Sequence, residues 1–388
     1  MSNKTIRICA LTTISKTMDW FIVDSMRNLS KNGYEITLVS CMEDGFIERN
    51  SDYARCINLP MSRGISIKDM FIIPWRLYSL FKREKYDIVY YTSPNVSMYA
   101  SIASKFAGIP CRLYSQCGLR YVSFSGVKRK IFKTVERLTC ALSSTIRAQS
   151  PKNMAFAINE SLCPANKISV VGIGGTIGVD LKECDSFNRS EYRNNLRAKY
   201  QVAQDAFVFG YVGRVNADKG INELISAFKS LREDCPNAWL VLVGMIDDTN
   251  PISSELMEMA RNDERIVFTG NVKPTEVYHH MSMFDALTHP TYREGFGKVL
   301  QEAMGMALPI ITTNVPGPSE VVEDGISGIL VESKNDRDLA DKMKLIYKNG
   351  KLRDSLSVNG RKRAEKYFDR PIMLNNILED LNRTVRQV

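Results

Sequence analysis

Short apolar runs alternate with longer stretches whose apolar residues recur at helical spacing, from one end of this chain to the other. Runs of that length, bounded by polar and turn-forming residues, predict strands, and the stretches between them predict crossover helices of a parallel α/β fold. Strands are expected at 6–11, 35–40, 87–92, 112–115, 145–149 and 168–171, with helices between them, for example at 19–30 and 67–83. A polar stretch, 182–204, separates this series from a second one with strands at 207–212, 239–244, 266–270, 286–289, 310–313 and 328–331. Two successive α/β series of similar size predict two Rossmann-like α/β/α domains facing each other across a cleft, with a hinge at 178–194. The tail, 336–388, is helical by pattern and carries no strand.

Candidate chemistry is densest in one segment, REGFGKVLQEAMGMALPIITTNVPGPSEVVEDGISGILVE, residues 293–332. Glu294 precedes a Gly-Phe-Gly turn and Glu302 falls inside the helix that the turn opens. At about 1.5 Å of rise per residue the two carboxylates span roughly a sugar and a ribose. The turn aims backbone N–H groups and a helix N-terminus at the same space, which suits a diphosphate. A second loop, after the run FVFGYVG, carries Arg214 and then Lys219-Gly220 before a helix. Two cations in a strand-to-helix loop meet a diphosphate outside the strand ends, Arg214 bidentately and Lys219 as a point charge. Taken alone, that loop reads better as a surface turn with two solvated charges.

These pieces together resemble the donor site of retaining glycosyltransferases of family 4, which have the GT-B architecture. The resemblance rests on E-G-F-G-x-V-x-x-E-A, on P-I-I-T-T-N-V-P-G-P-x-E-x-V, on D-G-x-x-G-x-L-V and on an upstream G-R-x-x-x-x-K-G beginning at Gly213. It implies that Arg214 and Lys219 stabilise the leaving diphosphate and that Glu302 binds ribose hydroxyls. Glu294 would touch a sugar hydroxyl or stabilise the oxocarbenium-like centre. Gly295, Phe296, Gly297 and Lys298 would offer backbone donors, and Val272 would lie beside the base. The donor would be a UDP-sugar, with GDP also open, and no cofactor or metal is implied. The resemblance further implies an acceptor-binding domain at 1–180, a donor-binding domain at 195–369, and a last helix at about 370–388 packing back onto the first domain.

The chain departs from that family in its first half. Many relatives place a histidine before a glycine there; the corresponding stretch, 112–126, has Gln116, Cys117 and Gly118, and all three histidines lie in the second half. No first-half histidine can act as a base. Front-face transfer, in which the departing phosphate takes the acceptor's proton, needs none, and Gln116, Arg120 or a backbone carbonyl would position the acceptor. The other reading is a protein that binds a nucleotide sugar without turning it over. A nucleotide-sugar epimerase of the same shape is a third. Thr13 and Lys16, in a loop expected after the first strand, are acceptor-side candidates. His289 ends a strand before the signature and reads as site residue or packing residue alike; His279 and His280 read as structural.

Bulk properties add less. Hydrophobic residues are 44% and charged residues 24%, an ordinary globular balance. The N-terminus reads as a first strand, without a secretory signal. Nine scattered cysteines form no C-x-x-C pair, and free thiols point to the cytoplasm. A net charge of +9 fits nucleic acid, an anionic membrane or a lipid diphosphate, and no nucleic-acid-binding motif is present. The stretch 125–142 places Ile131, Val135, Leu138 and Leu142 at helical spacing among Lys128, Arg129, Lys130, Lys133 and Arg137. With 70–75 it is a candidate for peripheral membrane contact, against the plainer reading that the apolar stripe faces the core. The sequence-level expectation is a glycosyltransferase moving a hexose or N-acetylhexosamine to a glycan acceptor, lipid-linked, in bacterial surface polysaccharide assembly.

Overall fold

The computed structural model describes residues 5–62, 64 and 66–386, except for the side chains of Arg120 and Ser123. The chain divides into two compact units, Met1–Ile177 with Pro371–Val388, and Gly178–Arg370. Each is built on one wholly parallel sheet.

In the first unit seven strands, β1 (Arg7–Ile14), β2 (Glu35–Cys41), β3 (Ala54–Asn58), β4 (Ile88–Tyr91), β5 (Cys111–Gln116), β6 (Thr145–Ala148) and β7 (Ile168–Val170), pair in the order β3-β2-β1-β4-β5-β6-β7. Alternate residues face opposite sides of a strand. Ile8 and Ala10 therefore join one core layer with Leu38 and Leu113, while Cys9 and Leu11 join the other with Val39 and Tyr114. Burial on both faces is why these strands read as unbroken apolar runs. The last helix, Arg370–Arg386, lies on this unit: Arg147 donates to Asp380 at 2.7 Å and to Thr384 at 2.8 Å, and Leu381 is buried.

In the second unit six strands, β8 (Phe207–Val212), β9 (Ala238–Val243), β10 (Ile266–Gly270), β11 (Ala286–His289), β12 (Ile310–Thr313) and β13 (Ile329–Val331), pair in the order β10-β9-β8-β11-β12-β13. Both orders reverse direction once, between β1 and β4 and between β8 and β11. Ligands of such sheets bind outside the strand C-termini at that reversal.

Four local expectations change. Strand β3 was not anticipated: it pairs only with β2, and as a short, half-exposed edge it lacks an apolar run. The loop expected around Thr13 and Lys16 is absent. Strand β1 continues through Thr13 with a register shift after Leu11, and a helix, Ser15–Phe21, follows at once. The helix expected at 19–30 is two, Ser15–Phe21 and Val23–Lys31, separated at Ile22. The stretch 178–194, expected as a hinge, is mostly helical and belongs to the second unit. Helices Leu181–Asp185 and Arg189–Lys199 are capped by Asp180 and Asn188. Arg197 is fully buried there and donates to the Met283 carbonyl at 2.6 Å, the Ala206 carbonyl at 2.8 Å and Asp285 at 2.9 Å.

Candidate active site

The reversal between β8 and β11 brings together the two segments that the sequence singled out. Strand β8 ends at Val212, and Gly213 (φ +148°) turns the chain so that its N–H still reaches the Val243 carbonyl, 2.9 Å away. Gly244 at the end of β9 allows this approach, since a Cβ there would stand 1.9 Å from the Gly213 oxygen. Arg214 then projects outward with its side chain half exposed and pairs with Asp247. Its carbonyl accepts the Tyr211 hydroxyl at 2.7 Å. The Asn216 side chain caps the following turn at the Lys219 N–H, 3.2 Å, and donates to Asp247 at 3.0 Å.

Asp247 is thus the hub of the phosphate-side loop. Hydrogen bonds from Thr249 hold its carboxyl at about 2, against the opposing effect of burial, with Arg214 and Asn216 adding to them. Nothing in the sequence ties Asp247 to Arg214 and Asn216, because those two partners lie on another loop more than thirty residues away.

Lys219 crosses to the other segment and pairs with Glu294. Gly220 (φ +71°) makes the crossing short: a Cβ there would meet the Pro290 carbonyl at 1.9 Å. Burial by itself pushes the Glu294 carboxyl up, but the Lys219 ammonium outweighs it and holds the group well below the usual carboxylate range. His289 is 1% exposed and stacks on Tyr211 with ring centroids 5.4 Å apart. Its Nε2 lies 3.7 Å from the Glu294 carboxylate, too far for a hydrogen bond, and neither ring nitrogen has a partner. Burial lowers its pKa, favouring the neutral ring.

The turn after Glu294 is shaped by two glycines. Gly297 (φ +95°) begins the helix Lys298–Gly305, and Gly317 (φ +94°) passes so near that a Cβ would stand 2.9 Å from the Glu294 and Gly295 oxygens. The Gly295 N–H donates to Glu294 at 3.3 Å. The Phe296 ring is an anchor, buried edge-on against Phe368 at 5.9 Å. The first N–H groups of the helix have no acceptor within it. Glu302, one turn in, has Lys298 at 3.5 Å; burial outweighs that contact and raises its pKa. Val272 is half-buried in the loop after β10.

The candidates of the first unit gather at its own reversal. Thr13 is buried at the end of β1, and Lys16 is exposed in the next helix, 4.0 Å from Glu43. Gln116 does not point outward as an acceptor-positioning group would: its amide donates to Glu136 at 2.7 Å, beside the Tyr114 hydroxyl at 2.9 Å from the same oxygen. Cys117 is exposed as a residue while its thiol turns inward to Thr92 at 3.1 Å and Gln149 at 3.2 Å, and burial raises its pKa. That environment does not make a nucleophilic thiolate. Gly118 (φ +100°) faces open space. The Arg120 side chain lies outside the described residues. His280 is buried between Glu276 and Tyr200, and His279 stacks on Tyr192, so both are packing residues.

Among the described residues no three His, Cys, Asp or Glu side chains are grouped to hold a metal ion. The one Asp-x-Asp spacing in the chain, Asp336 and Asp338, opens the helix Asp336–Lys348, where Asp338 accepts the Glu332 N–H at 2.8 Å.

A doubly wound unit with paired cations and carboxylates at its strand reversal, preceded by a second doubly wound unit, is the frame of a GT-B enzyme that handles nucleotide sugars. A family model described as "Glycosyl transferases group 1" matches residues 192–363, and one described as "Glycosyl transferase 4-like" matches residues 7–150. The chain is 31% identical to the capsular polysaccharide biosynthesis glycosyltransferase CapM of Staphylococcus aureus over 95% of each protein. It is 26% identical over 78% of each to an Escherichia coli UDP-Gal:alpha-D-GlcNAc-diphosphoundecaprenol alpha-1,3-galactosyltransferase. The structure of Anabaena HepE in complex with UDP and glucose shares the fold, with a TM-score of 0.80 and 20% identity over 97% of this chain and all of that one. The chain belongs to the family 4 type of GT-B glycosyltransferases.

Proposed function

We propose that this glycosyltransferase moves a hexose or N-acetylhexosamine from a nucleotide diphosphate, UDP first, to a lipid-linked glycan acceptor, with retention of configuration and without a metal. In this reading the second unit holds the donor and the first unit the acceptor, in the assembly of a bacterial surface polysaccharide. The observation that carries it is the pairing of Lys219 with Glu294 beside Arg214 at the strand reversal. The names of the relatives support the substrate classes: a capsular polysaccharide enzyme and a galactosyltransferase acting on a diphosphoundecaprenol-linked sugar.

Cleaving the sugar–phosphate bond builds negative charge on the leaving oxygen. Fixed cations stabilise that charge more in the transition state than in the ground state. Arg214, shared with Asp247, has its half-exposed guanidinium placed for the diphosphate. Lys219 keeps Glu294 ionised next to the developing positive centre of the sugar. Glu302, with a raised pKa, takes the ribose hydroxyls. The departing phosphate accepts the acceptor's proton, consistent with neutral side chains around Cys117.

The test is donor binding and turnover by Arg214→Ala and Glu302→Ala against wild type. Loss of both activities in both variants is expected, and unchanged donor binding and turnover would falsify the site. Binding without any turnover by wild type, across acceptors, would point instead to a non-catalytic binding subunit.

A further inference from the structure

His289 places a polar ring in a buried position and engages only the face of that ring. Its backbone is fixed at the end of β11, where its carbonyl accepts the Thr312 hydroxyl at 2.8 Å and the Thr291 N–H at 2.9 Å. The ring lies 9° from parallel with Tyr211. Both ring nitrogens are buried, and neither has a hydrogen-bond partner among the described residues. Stacking alone would be served as well by an apolar ring. Unpaired buried polar groups are unfavourable, and most in folded proteins have a partner.

One acceptor stands beside this ring. Nε2 is 3.7 Å from Oε2 of Glu294, the same oxygen that Lys219 holds. Lys219 and Glu294 are the charged groups that face the ring. Burial favours the neutral ring, and a bare lone pair on Nε2 would repel the carboxylate, so Nε2 carries the proton. A shift of about 0.8 Å would make an ordinary N–H···O hydrogen bond. Tyr211 does not compete for it, because its hydroxyl is given to the Arg214 carbonyl at 2.7 Å.

Lys219 has two anions to serve. It holds Glu294, and in the function proposed above it also meets the donor diphosphate. An ammonium drawn toward a phosphate loosens its hold on Oε2, and a buried carboxylate then needs another donor.

We propose that His289 is a positioning residue for Glu294: when a diphosphate draws on Lys219, the His289 Nε2–H takes up Oε2 and fixes the carboxylate against the sugar. Lys219 still supplies the charge, and His289 supplies the direction. The stack on Tyr211 sets the plane of the ring, and Tyr211 is itself tied to the Arg214 loop, so one ring braces both halves of the site. The proposal rests on the donor site proposed above.

The experiment is calorimetric titration of UDP into the full chain, with ¹⁵N–¹H spectra of ring-labelled histidine on the same samples. His289→Phe keeps a flat ring for Tyr211 and removes the donor. It should weaken UDP binding about tenfold, as expected for one hydrogen bond to a charged group. His289→Gln, whose amide nitrogen can stand where Nε2 stands, should recover most of that loss. With Glu294→Ala already present, His289→Phe should change the affinity less than about twofold. A ring that only packs would give the same loss with Glu294 and without it. The chain has three histidines, so the His289 N–H is assigned by its disappearance in His289→Gln. Saturating UDP should move it downfield in wild type and leave it in place in Glu294→Ala. That spectrum does not need His289→Phe, so it decides the matter even if that variant melts early. Saturable UDP binding with an unmoved His289 resonance, or a folded His289→Phe that binds UDP as tightly as wild type, overturns the proposal and leaves the donor site standing. No binding of UDP or GDP by wild type overturns both.

Discussion

The two sheets reverse direction in the same way and fill the reversal with opposite chemistry. At β8 and β11 the strand ends carry ion pairs, Arg214 with Asp247 and Lys219 with Glu294. At β1 and β4 the buried groups are neutral, Thr13, Thr92 and the Cys117 thiol held by Thr92 and Gln149, and the one cation named there, Lys16, is exposed and 4.0 Å from Glu43. The fold supplies a crevice in both places. In the function proposed above, the charged loops would take the diphosphate and the neutral ones the acceptor polyol.

The largest effect should come from breaking the charged side of this contrast. Lys219→Ala leaves Glu294 without its cation, and kcat/KM for transfer should fall roughly 10³-fold. Because the pair acts as a unit, Glu294→Ala combined with Lys219→Ala should cost little more than either alone. Additive losses in steady-state kinetics would show that the two residues work separately.

A smaller effect should come from Gln116→Ala on the neutral side. The structure makes Gln116 a tie to the buried Glu136 carboxylate and not an acceptor contact. The variant should lose about 1–2 kcal/mol of stability and keep its acceptor KM. A raised KM with an unchanged melt would reverse that assignment.

The smallest effect tests Glu302. Its pKa is raised in the folded chain, so the native state binds a proton more tightly than the unfolded state. Stability from this group is therefore present below the unfolded carboxylate value and is lost as pH rises through the folded one. Once ionised, the mostly buried group is a burden in the ligand-free protein. Glu302→Gln should raise the melting temperature by on the order of 2 °C while weakening donor binding. The gain should vanish at pH 4. A lower melting temperature at pH 7 would mean that the Lys298 contact outweighs burial.

Much of this was legible in the sequence for a physical reason. Strands buried on both faces leave an apolar run in the chain, and β8, β10, β11 and β12 fall where those runs predict. Strand β3 has no such run because none of its residues is fully buried and polar ones, Arg55 and Asn58, stand exposed in it. Thr12 and Thr13 read as loop, yet continue β1 in buried positions. The signature placed Glu294, Glu302, Arg214 and Lys219 at one end of one sheet, but not their partners. That Lys219 meets Glu294, and that Asp247 meets Arg214, depends on which loops a parallel sheet brings side by side, and no local spacing records it. The stripe of the 126–142 helix was legible as apolar but not as half exposed, with Ile131 and Leu138 outward and Val135 and Leu142 partly covered, because periodicity does not show what a face meets.

The most direct test of the account is calorimetric titration of a UDP-sugar into the protein in EDTA, wild type beside Arg214→Ala with Lys219→Ala. The account predicts saturable binding by wild type without any divalent ion, and its loss in the double variant. Equal binding by both proteins, or wild-type binding that appears only when a divalent ion is restored, would contradict a donor site built on these two cations.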